Sequence, residues 1–200
     1  MTDNSVGKIG GLLLAAGGSS RLGRPKQLVQ FQGKTLIRRA TETLVDSSCD
    51  PVVVALGAEI DGSTSEIADL PVNICINQDW QTGMSSSIKA GLKELLELEP
   101  NLAAVVITLC DQPHIASGDI ALLIAEFQIT NASIVAASYS GTSGVPALFS
   151  SHLFHKLFEL DGDAGARNLI RQRDDIMAIE MESARIDIDT VYEALNLTNT

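Results

Sequence analysis

The sequence predicts an α/β fold in which a mainly parallel β-sheet lies between two layers of helices. Apolar runs of strand length alternate with helical patterns, and 45% of the residues are hydrophobic, which suffices for a core on both faces of a sheet. Strands that alternate with helices form βαβ units with right-handed crossovers, and such units build parallel sheets. A chain of 200 residues corresponds to one domain. We therefore expect a single three-layer αβα domain over residues 1–200.

The first predicted element is a strand over residues 9–15, within an apolar run that ends at Ala16. This run has no polar alternation, as expected of a parallel strand that is covered on both faces. Further strand-like runs lie at 51–56, 72–76, 103–109 and 133–138, and helical patterns lie near 35–47, 84–98 and 117–129. Residues 57–70 form a polar connection, and the last third of the chain predicts shorter, less regular elements. Ligands of such sheets bind at the carboxyl ends of the strands, so the loops there are expected to carry the site.

Charge and cysteine content limit the partners and the compartment. The net charge of −11 argues against a broad basic surface, so neither a nucleic acid nor an anionic membrane is expected as a partner. Cys49, Cys75 and Cys110 form no C-x-x-C pair, and the apolar runs around the last two predict buried free thiols. A reduced, cytoplasmic compartment fits this pattern. No signal peptide or transmembrane segment is predicted.

A glycine-rich loop with several cations follows the first predicted strand. Its glycines and serines are Gly17, Gly18, Ser19, Ser20 and Gly23, and its cations are Arg21, Arg24 and Lys26. Glycine accepts the positive φ angles that turn backbone N–H groups toward an anion. The loop therefore predicts a site for the phosphates of a nucleotide.

Two better-known phosphate-binding motifs do not fit this loop. The sequence has no G-x-G-x-x-G, which disfavours a nicotinamide or flavin enzyme of the Rossmann type. Gly18 and Gly23 have the spacing of Walker A, but Arg24-Pro25 stands where Lys-Ser/Thr is required. Pro25 also lacks an N–H group and disfavours helical geometry at Arg24. A P-loop switch is therefore a weak alternative.

The segment 14–28, LAAGGSSRLGRPKQL, resembles the signature L-A-A-G-x-S-x-R-[ML]-G-x-x-K of the MobA-like nucleotidyltransferases. It is most similar to the molybdenum cofactor cytidylyltransferase branch. The resemblance implies a Rossmann-like nucleotidyltransferase fold and transfer of CMP from CTP to molybdopterin, with release of pyrophosphate. Arg21 and Lys26 would be catalytic, because they would hold the phosphates that leave. The residues implied in nucleotide binding are Leu14, Ala15, Ala16, Gly17, Gly18, Ser19, Arg21 and Lys26.

Aspartates near two predicted strand ends are expected to bind Mg²⁺. Asp111 follows the run 103–109 and so falls at the ligand-binding edge of the sheet, where Mg²⁺ takes few protein carboxylates plus phosphate oxygens. The resemblance implies that Asp111 is catalytic and binds this metal ion. Asp187 and Asp189 alternate on one face of a predicted short strand. Asp189 is the preferred second ligand because it adjoins the following loop, and capping or solvation of both aspartates is the alternative.

The segment 77–92 leads from the third strand into a helix and resembles the family pattern G-[ML]-S-x-S-[LI]-x-x-G-[LI]. Hydroxyl and free N–H groups in the first turn of a helix bind phosphate or carbonyl oxygens. The resemblance implies nucleotide contacts by Asn77, Gly83, Ser85 and Ser87, while helix capping is the alternative for at least one serine. Trp80 is expected to pack rather than to stack on a base.

The segment 162–167, GDAGAR, resembles the G-D-x-G-A-R element of the cytidylyltransferase branch. The resemblance implies that Gly162, Asp163 and Arg167 bind the phosphorylated acceptor, with Arg167 one turn into a helix. The alternative is an ordinary Asp163 N-cap followed by a surface arginine. Val145 stands where the family often has an aromatic ring or histidine, so any contact of that ring is missing here.

Other functions stay open from the sequence. A cytidylyl- or guanylyltransferase for a sugar, polyol or methylerythritol phosphate would share the first loop. A non-catalytic accessory protein that binds a nucleotide or cofactor is the alternative outside the enzymes. Lys26 and Asp111 favour catalysis, since an accessory protein needs neither. Transient contact with a client molybdoenzyme is compatible with both.

Overall fold

The computed structural model describes residues 7–18, 25–173 and 175–187. Strands and helices alternate along these ranges, as predicted. The strands are β1 (Ile9–Ala15), β2 (Gln30–Phe31), β3 (Lys34–Thr35), β4 (Val52–Leu56), β5 (Asn73–Ile76), β6 (Ala104–Leu109), β7 (Ile134–Tyr139), β8 (Thr142–Ser150) and β9 (Met177–Glu180). The helices are α1 (Leu36–Val45), α2 (Ile60–Ile67), α3 (Met84–Leu98), α4 (Ser117–Thr130), α5 (Phe154–Phe158) and α6 (Arg167–Arg171). None of the helices in the described ranges has the length and apolar composition needed to cross a membrane.

A seven-stranded sheet with the order β5-β4-β1-β6-β8-β7-β9 forms the middle of the fold. Strand β1 pairs in parallel with both β4 and β6, β4 pairs in parallel with β5, and β7 with β9. Strand β8 runs antiparallel to β6 and β7. The sheet is therefore mainly parallel, and the carboxyl ends of β1, β4, β5 and β6 meet at one edge.

The two faces of the sheet carry separate hydrophobic cores, because side chains alternate along each strand. Leu13 of β1 joins Ile37 of α1 and Leu123 of α4 on one face. Leu12 joins Leu92 of α3 on the other face, where α5 and α6 also contribute buried side chains. Helices on both faces of one sheet confirm the predicted three-layer αβα architecture.

The sequence did not predict every element of the sheet. The sequence does not predict strand β8, because its antiparallel insertion between β6 and β7 breaks the alternation of strands and helices. Helix α2 lies within the connection 57–70. The short strand predicted around Asp187 is wrong in its described part, since Glu182–Arg185 forms a 3₁₀ turn and residues 186–187 are not part of a strand. Cys75 is only partly buried because β5 is an edge strand.

The contact between α3 and β1 leaves no room for a side chain at Gly91. A Cβ there would lie 2.2 Å from Leu12 Cδ1 and 3.2 Å from Leu12 Cγ, inside the core. Gly91→Ala is therefore expected to lower the free energy of unfolding by about 1–3 kcal/mol through overpacking, as measured by urea denaturation. Gly118→Ala is the control, because that position in α4 is exposed and no atom lies within 4 Å of the added Cβ. Equal stabilities of the two variants would contradict the packing argument.

Candidate active site

A cavity of about 480 Å³ opens at the carboxyl ends of β1 and β6. It lies where the parallel-sheet rule predicts a ligand, since both strands end at this edge. Its walls come from the loop after β1, the start of α3, the end of β6 and the segment before α6. The lining residues are Leu14, Ala15, Ala16, Gly17, Gly18, Lys26, Gln27, Trp80, Gln81, Gly83, Met84, Ser87, Leu109, Cys110, Asp111 and Asp163.

Gln27 fixes the path of the chain as it leaves β1. It is 2% exposed, and its Nε2 donates to the backbone oxygens of Ala15 and Gly17, each at 2.7 Å. Its Oε1 is buried without a hydrogen-bond partner among the described residues. Sequence reasoning gave this residue no role, because the contact depends on how the chain returns through the 3₁₀ turn Lys26–Leu28.

Trp80 packs on the same loop. A Cβ at Gly18 would lie 2.8 Å from Trp80 Cη2, and one at Gly57 would lie 2.7 Å from Trp80 Cβ. Glycine is required at both positions because the backbone passes so close to the indole. The ring also lines the cavity, so Trp80 supports the loop and forms part of the cavity wall.

Lys26 and Asp111 form an ion pair in the cavity wall although they are 85 residues apart in the chain. Lys26 Nζ lies 2.9 Å from Asp111 Oδ2, and the two side chains are 16% and 20% exposed. The ion pair is thus largely shielded from water. Charges in such a shielded position attract each other more strongly than charges at the surface. Asp111 Oδ1 is buried and has no hydrogen-bond partner among the described residues.

The donor set around Asp111 suits a hard divalent cation. A buried carboxylate oxygen without a partner costs free energy unless a proton donor or a cation satisfies it. Mg²⁺ is commonly held by one or two carboxylates, with phosphate oxygens and water completing its shell. Within the described ranges no three His, Cys, Asp or Glu side chains converge on a metal site. Asp111 is therefore a fitting protein ligand for a metal ion that arrives with a nucleotide.

The start of α3 presents one serine to the cavity. Ser85, Ser86 and Ser87 all lie in its first turn, as predicted, but only Ser87 lines the cavity. Ser85 and Asn77 instead line a groove on the other side of the helix start. Asn77 is 5% exposed, and its Nδ2 lies 3.0 Å from Ser87 Oγ.

The segment after α5 packs directly on the start of α3. Ser85 N donates to Gly162 O at 3.1 Å, and a Cβ at Gly83 would lie 2.5 Å from the carbonyl carbon of Gly162. Met84 packs similarly on Gly165, whose added Cβ would lie 2.7 Å from the Met84 sulfur. Two segments that the sequence singled out separately therefore form one wall of the cavity.

A smaller pocket of about 90 Å³ continues the cavity past Met84, Leu109 and Asp163. Tyr139, Arg167 and Asp187 line it. Burial raises the pKa of Tyr139 above its ordinary value, Asp187 adds to the rise, and Arg167 opposes it. The Tyr139 hydroxyl is therefore a neutral donor at physiological pH. The sequence gives no signal for Tyr139, because the pocket is formed only when β7 and β8 pack beside each other in the sheet.

The helix near this pocket differs from the prediction. Arg167 is the first residue of α6 rather than one turn inside it, because the turn through 162–166 is longer than expected. Asp163 is not the N-cap either; Ala166 precedes the helix, and no side chain caps it. Asp163 is left exposed where the cavity and the pocket meet.

Cys110 lies in the cavity wall but is a poor nucleophile. Burial raises the pKa of its thiol to about 12, and the neighbouring Asp111 carboxylate contributes to the rise. The thiol is therefore protonated at neutral pH, and the thiolate is the reactive form. The cavity is therefore better suited to binding phosphates and a metal ion than to covalent catalysis by Cys110.

The structure brings most of the predicted site residues together. Those that line the cavity are Leu14, Ala15, Ala16, Gly17, Gly18, Lys26, Gly83, Ser87, Asp111 and Asp163. Asn77, Ser85 and Gly162 line the neighbouring groove, and Arg167 lines the smaller pocket. Ser19, Arg21 and Asp189 lie outside the described residues.

Residues 11–176 match the MobA-like NTP transferase domain family. The chain belongs to this family. Membership confirms the resemblance that the first loop indicated.

Relatives of this MobA-like chain differ in their named activities. Nicotine blue oxidoreductase of Paenarthrobacter nicotinovorans is 32% identical over 98% of the chain and 100% of that protein. A probable molybdenum cofactor guanylyltransferase of Bacillus cytotoxicus is 35% identical over 54% of the chain and 52% of that protein. The crystal structure of Rv0371c from Mycobacterium tuberculosis H37Rv, 23% identical, superposes with a TM-score of 0.85 and covers 98% of this chain and 100% of that one. That similarity shows a shared fold.

Gln27→Glu is expected to disturb the loop after β1 of this MobA-like chain. The substitution keeps the shape but places a carboxylate oxygen where Nε2 now meets two carbonyl oxygens at 2.7 Å. Losing the donor at a buried site is expected to lower the free energy of unfolding by about 1–3 kcal/mol, as measured by urea denaturation. Gln30→Glu is the matched control, since Gln30 is exposed in β2. A loss of equal size in the control would assign the effect to charge alone.

Proposed function

We propose that this MobA-like protein is a divalent-metal-dependent nucleotidyltransferase that transfers CMP from CTP to a phosphorylated small molecule, with molybdopterin as the acceptor. The observation that carries the proposal is the shielded pair of Lys26 and Asp111 in the wall of the large cavity. The pair offers a cation for phosphate oxygens and a carboxylate oxygen, Asp111 Oδ1, for a metal ion. Membership of the MobA-like NTP transferase family supports nucleotide transfer as the reaction.

The proposed reaction needs no protein nucleophile. An oxygen of the acceptor phosphate forms a bond to the α-phosphorus, and the bond from that phosphorus to the bridging β oxygen breaks. Pyrophosphate leaves with the electron pair. Lys26 neutralises negative charge that develops on the leaving group, while the loop after β1 holds the donor in place. A Mg²⁺ ion held by Asp111 supplies further charge neutralisation at the phosphates when it is bound.

The donor and the acceptor occupy adjoining spaces in this proposal. CTP fills the large cavity, with its base against the backbone of residues 14–17 and its phosphates toward Lys26. The acceptor phosphate enters past Asp163 and faces Arg167 in the smaller pocket. Arg21 and Ser19 join the phosphate site, and Asp189 joins the metal ligands. The whole chain, 1–200, then acts as one nucleotidyltransferase domain.

The choice of substrates rests on two sequence segments and on one relative. CTP is supported by the segment LAAG over residues 14–17, which resembles the cytidine branch of the family. Molybdopterin is supported by the resemblance of residues 162–167 to that branch. The molybdenum cofactor guanylyltransferase relative also supports it, with GTP as the competing donor.

Thermal stabilisation and pyrophosphate release test this function together. A ligand that binds the folded state raises the melting temperature according to its affinity and concentration. CTP, GTP, UTP and ATP are each added with and without Mg²⁺, and pyrophosphate release is then followed with molybdopterin as the acceptor. A selective, metal-dependent shift with CTP and acceptor-dependent pyrophosphate release are expected. A shift in melting temperature with GTP alone would identify GTP as the donor. No pyrophosphate release with any of the four nucleotides would contradict nucleotidyl transfer.

A second candidate function follows from the oxidoreductase relative. Nicotine blue oxidoreductase matches nearly the whole chain at 32% identity, so the same preparation is assayed for loss of the colour of nicotine blue in the presence of a hydride donor. Loss of the dye colour without pyrophosphate release would favour an oxidoreductase. Pyrophosphate release without loss of colour is the expected result.

A further inference from the structure

The orientation of the buried Asn77 amide is determined by its neighbours. Asn77 follows β5 and is 5% exposed. Its Oδ1 lies 3.0 Å from the backbone nitrogen of Asp79, a group that can only donate. The oxygen must therefore face Asp79, and the Nδ2 group must face α3.

The Asn77 amide donates to two serine hydroxyls at once. Its Nδ2 lies 2.7 Å from Ser86 Oγ and 3.0 Å from Ser87 Oγ. An amide nitrogen carries two protons and accepts none, so both serine oxygens act as acceptors here. Each hydroxyl then has its single proton left to donate elsewhere.

The two serines differ in where that proton can go. Ser86 Oγ has carbonyl acceptors within the chain, Gly83 O at 2.8 Å and Asp79 O at 3.0 Å. Ser87 Oγ has no acceptor among the described residues, and Ser87 lines the large cavity. The Ser87 proton is thus available for an oxygen atom of a ligand in that cavity.

We infer that Asn77 is a positioning residue whose amide turns the hydroxyl proton of Ser87 into the cavity, toward an oxygen of the bound nucleotide. The inference rests on the proposed function for the identity of the ligand. It also gives Asn77 a role different from direct nucleotide contact. The oxygen belongs either to a phosphate or to the carbonyl group of the base, and both accept the same hydrogen bond.

Asn77→Asp tests the inference because it reverses the hydrogen bond without changing the shape of the side chain. A carboxylate accepts and does not donate, so the Ser87 proton would turn toward it and away from the cavity. The dissociation constant for CTP is expected to rise about tenfold, the worth of one hydrogen bond to a charged or strongly polar group. Ser87→Ala is expected to cause a similar rise, and Ser86→Ala is expected to leave the constant unchanged.

The double variant separates positioning from other effects. If Asn77 acts through Ser87, Asn77→Asp adds nothing to the loss already caused by Ser87→Ala. A further tenfold loss in the Ser87→Ala background would overturn the inference, since repulsion or general damage would then explain it. If Asn77→Asp fails to fold, Asn77→Ala serves as the second test. It is expected to weaken CTP binding less than Asn77→Asp does, and to cause no further weakening in the Ser87→Ala background.

Smaller probes identify the oxygen and separate the two proposals. A loss that appears with CMP or inorganic pyrophosphate but not with cytidine, which has no phosphate, assigns the bond to a phosphate. A loss that appears with cytidine assigns it to the carbonyl group of the base. Wild-type protein that binds neither nucleotide nor pyrophosphate would overturn the proposed function together with the inference. Wild-type protein that binds CTP while the variants show additive losses would overturn the inference alone.

Discussion

Asp111→Asn is expected to lower the rate of pyrophosphate release by about 10²–10³-fold, the range seen when one preorganised charge-stabilising group is removed. The substitution keeps the shape of the side chain but removes the charge that pairs with Lys26 at 2.9 Å. It also replaces carboxylate oxygens with an amide, a weaker ligand for a hard cation. Steady-state kinetics with CTP, the acceptor and Mg²⁺ measure the loss.

A matched variant and a partner variant make the Asp111 result interpretable. Asp61→Asn changes the net charge equally, but Asp61 is exposed in α2, so its activity is expected to match the wild type. Lys26→Gln is expected to cause a loss of similar size to Asp111→Asn. The double variant is expected to lose less than the product of the single losses, because residues that form one unit are not additive. Unchanged turnover in Asp111→Asn would remove Asp111 from the reaction.

The parts of the site that the sequence predicted depend on short segments and one topological rule. The apolar run that forms β1 and the glycines after it are local features, so residues 9–18 could be placed from their own composition. The meeting of Lys26 and Asp111 could be expected because parallel strands end at the same edge of a sheet. That rule brings a residue after β1 and a residue after β6 together without knowledge of any side chain.

The parts that the sequence did not predict depend on contacts between distant segments. The hydrogen bonds of Gln27 require the chain to fold back under the loop after β1. Tyr139 enters the smaller pocket only because β8 is inserted between β6 and β7. The sequence motif implies that Asn77 contacts the nucleotide, yet its amide hydrogen-bonds to the backbone of Asp79 and to two serines of α3. A sequence pattern can therefore predict which residues belong to the site. Which partner each of them hydrogen-bonds to depends on the folded structure.

Gly83→Ala is expected to lower the free energy of unfolding by roughly 2–4 kcal/mol, from backbone strain and overpacking together. Gly83 has φ 120° and ψ 171°, a region that residues with a side chain rarely adopt. Its added Cβ would also lie 2.6 Å from Gly162 O and 2.8 Å from Asp163 Oδ1. Urea denaturation measures the loss of stability, and the same protein is assayed for CTP binding and for pyrophosphate release.

Gly141→Ala is the control for the Gly83 prediction, because its glycine also has a positive φ but no neighbour to clash with. Gly141 has φ 74° in the turn between β7 and β8, but no atom lies within 4 Å of its added Cβ. It therefore reports the strain of a positive φ without a clash, and a Gly83→Ala loss no larger than this one would show that the contact with Gly162 matters little. If the contact matters, relief of the clash must push the segment 162–165 away from α3. Because that segment forms the wall shared by the cavity and the smaller pocket, acceptor-dependent turnover should then fall further than CTP binding does.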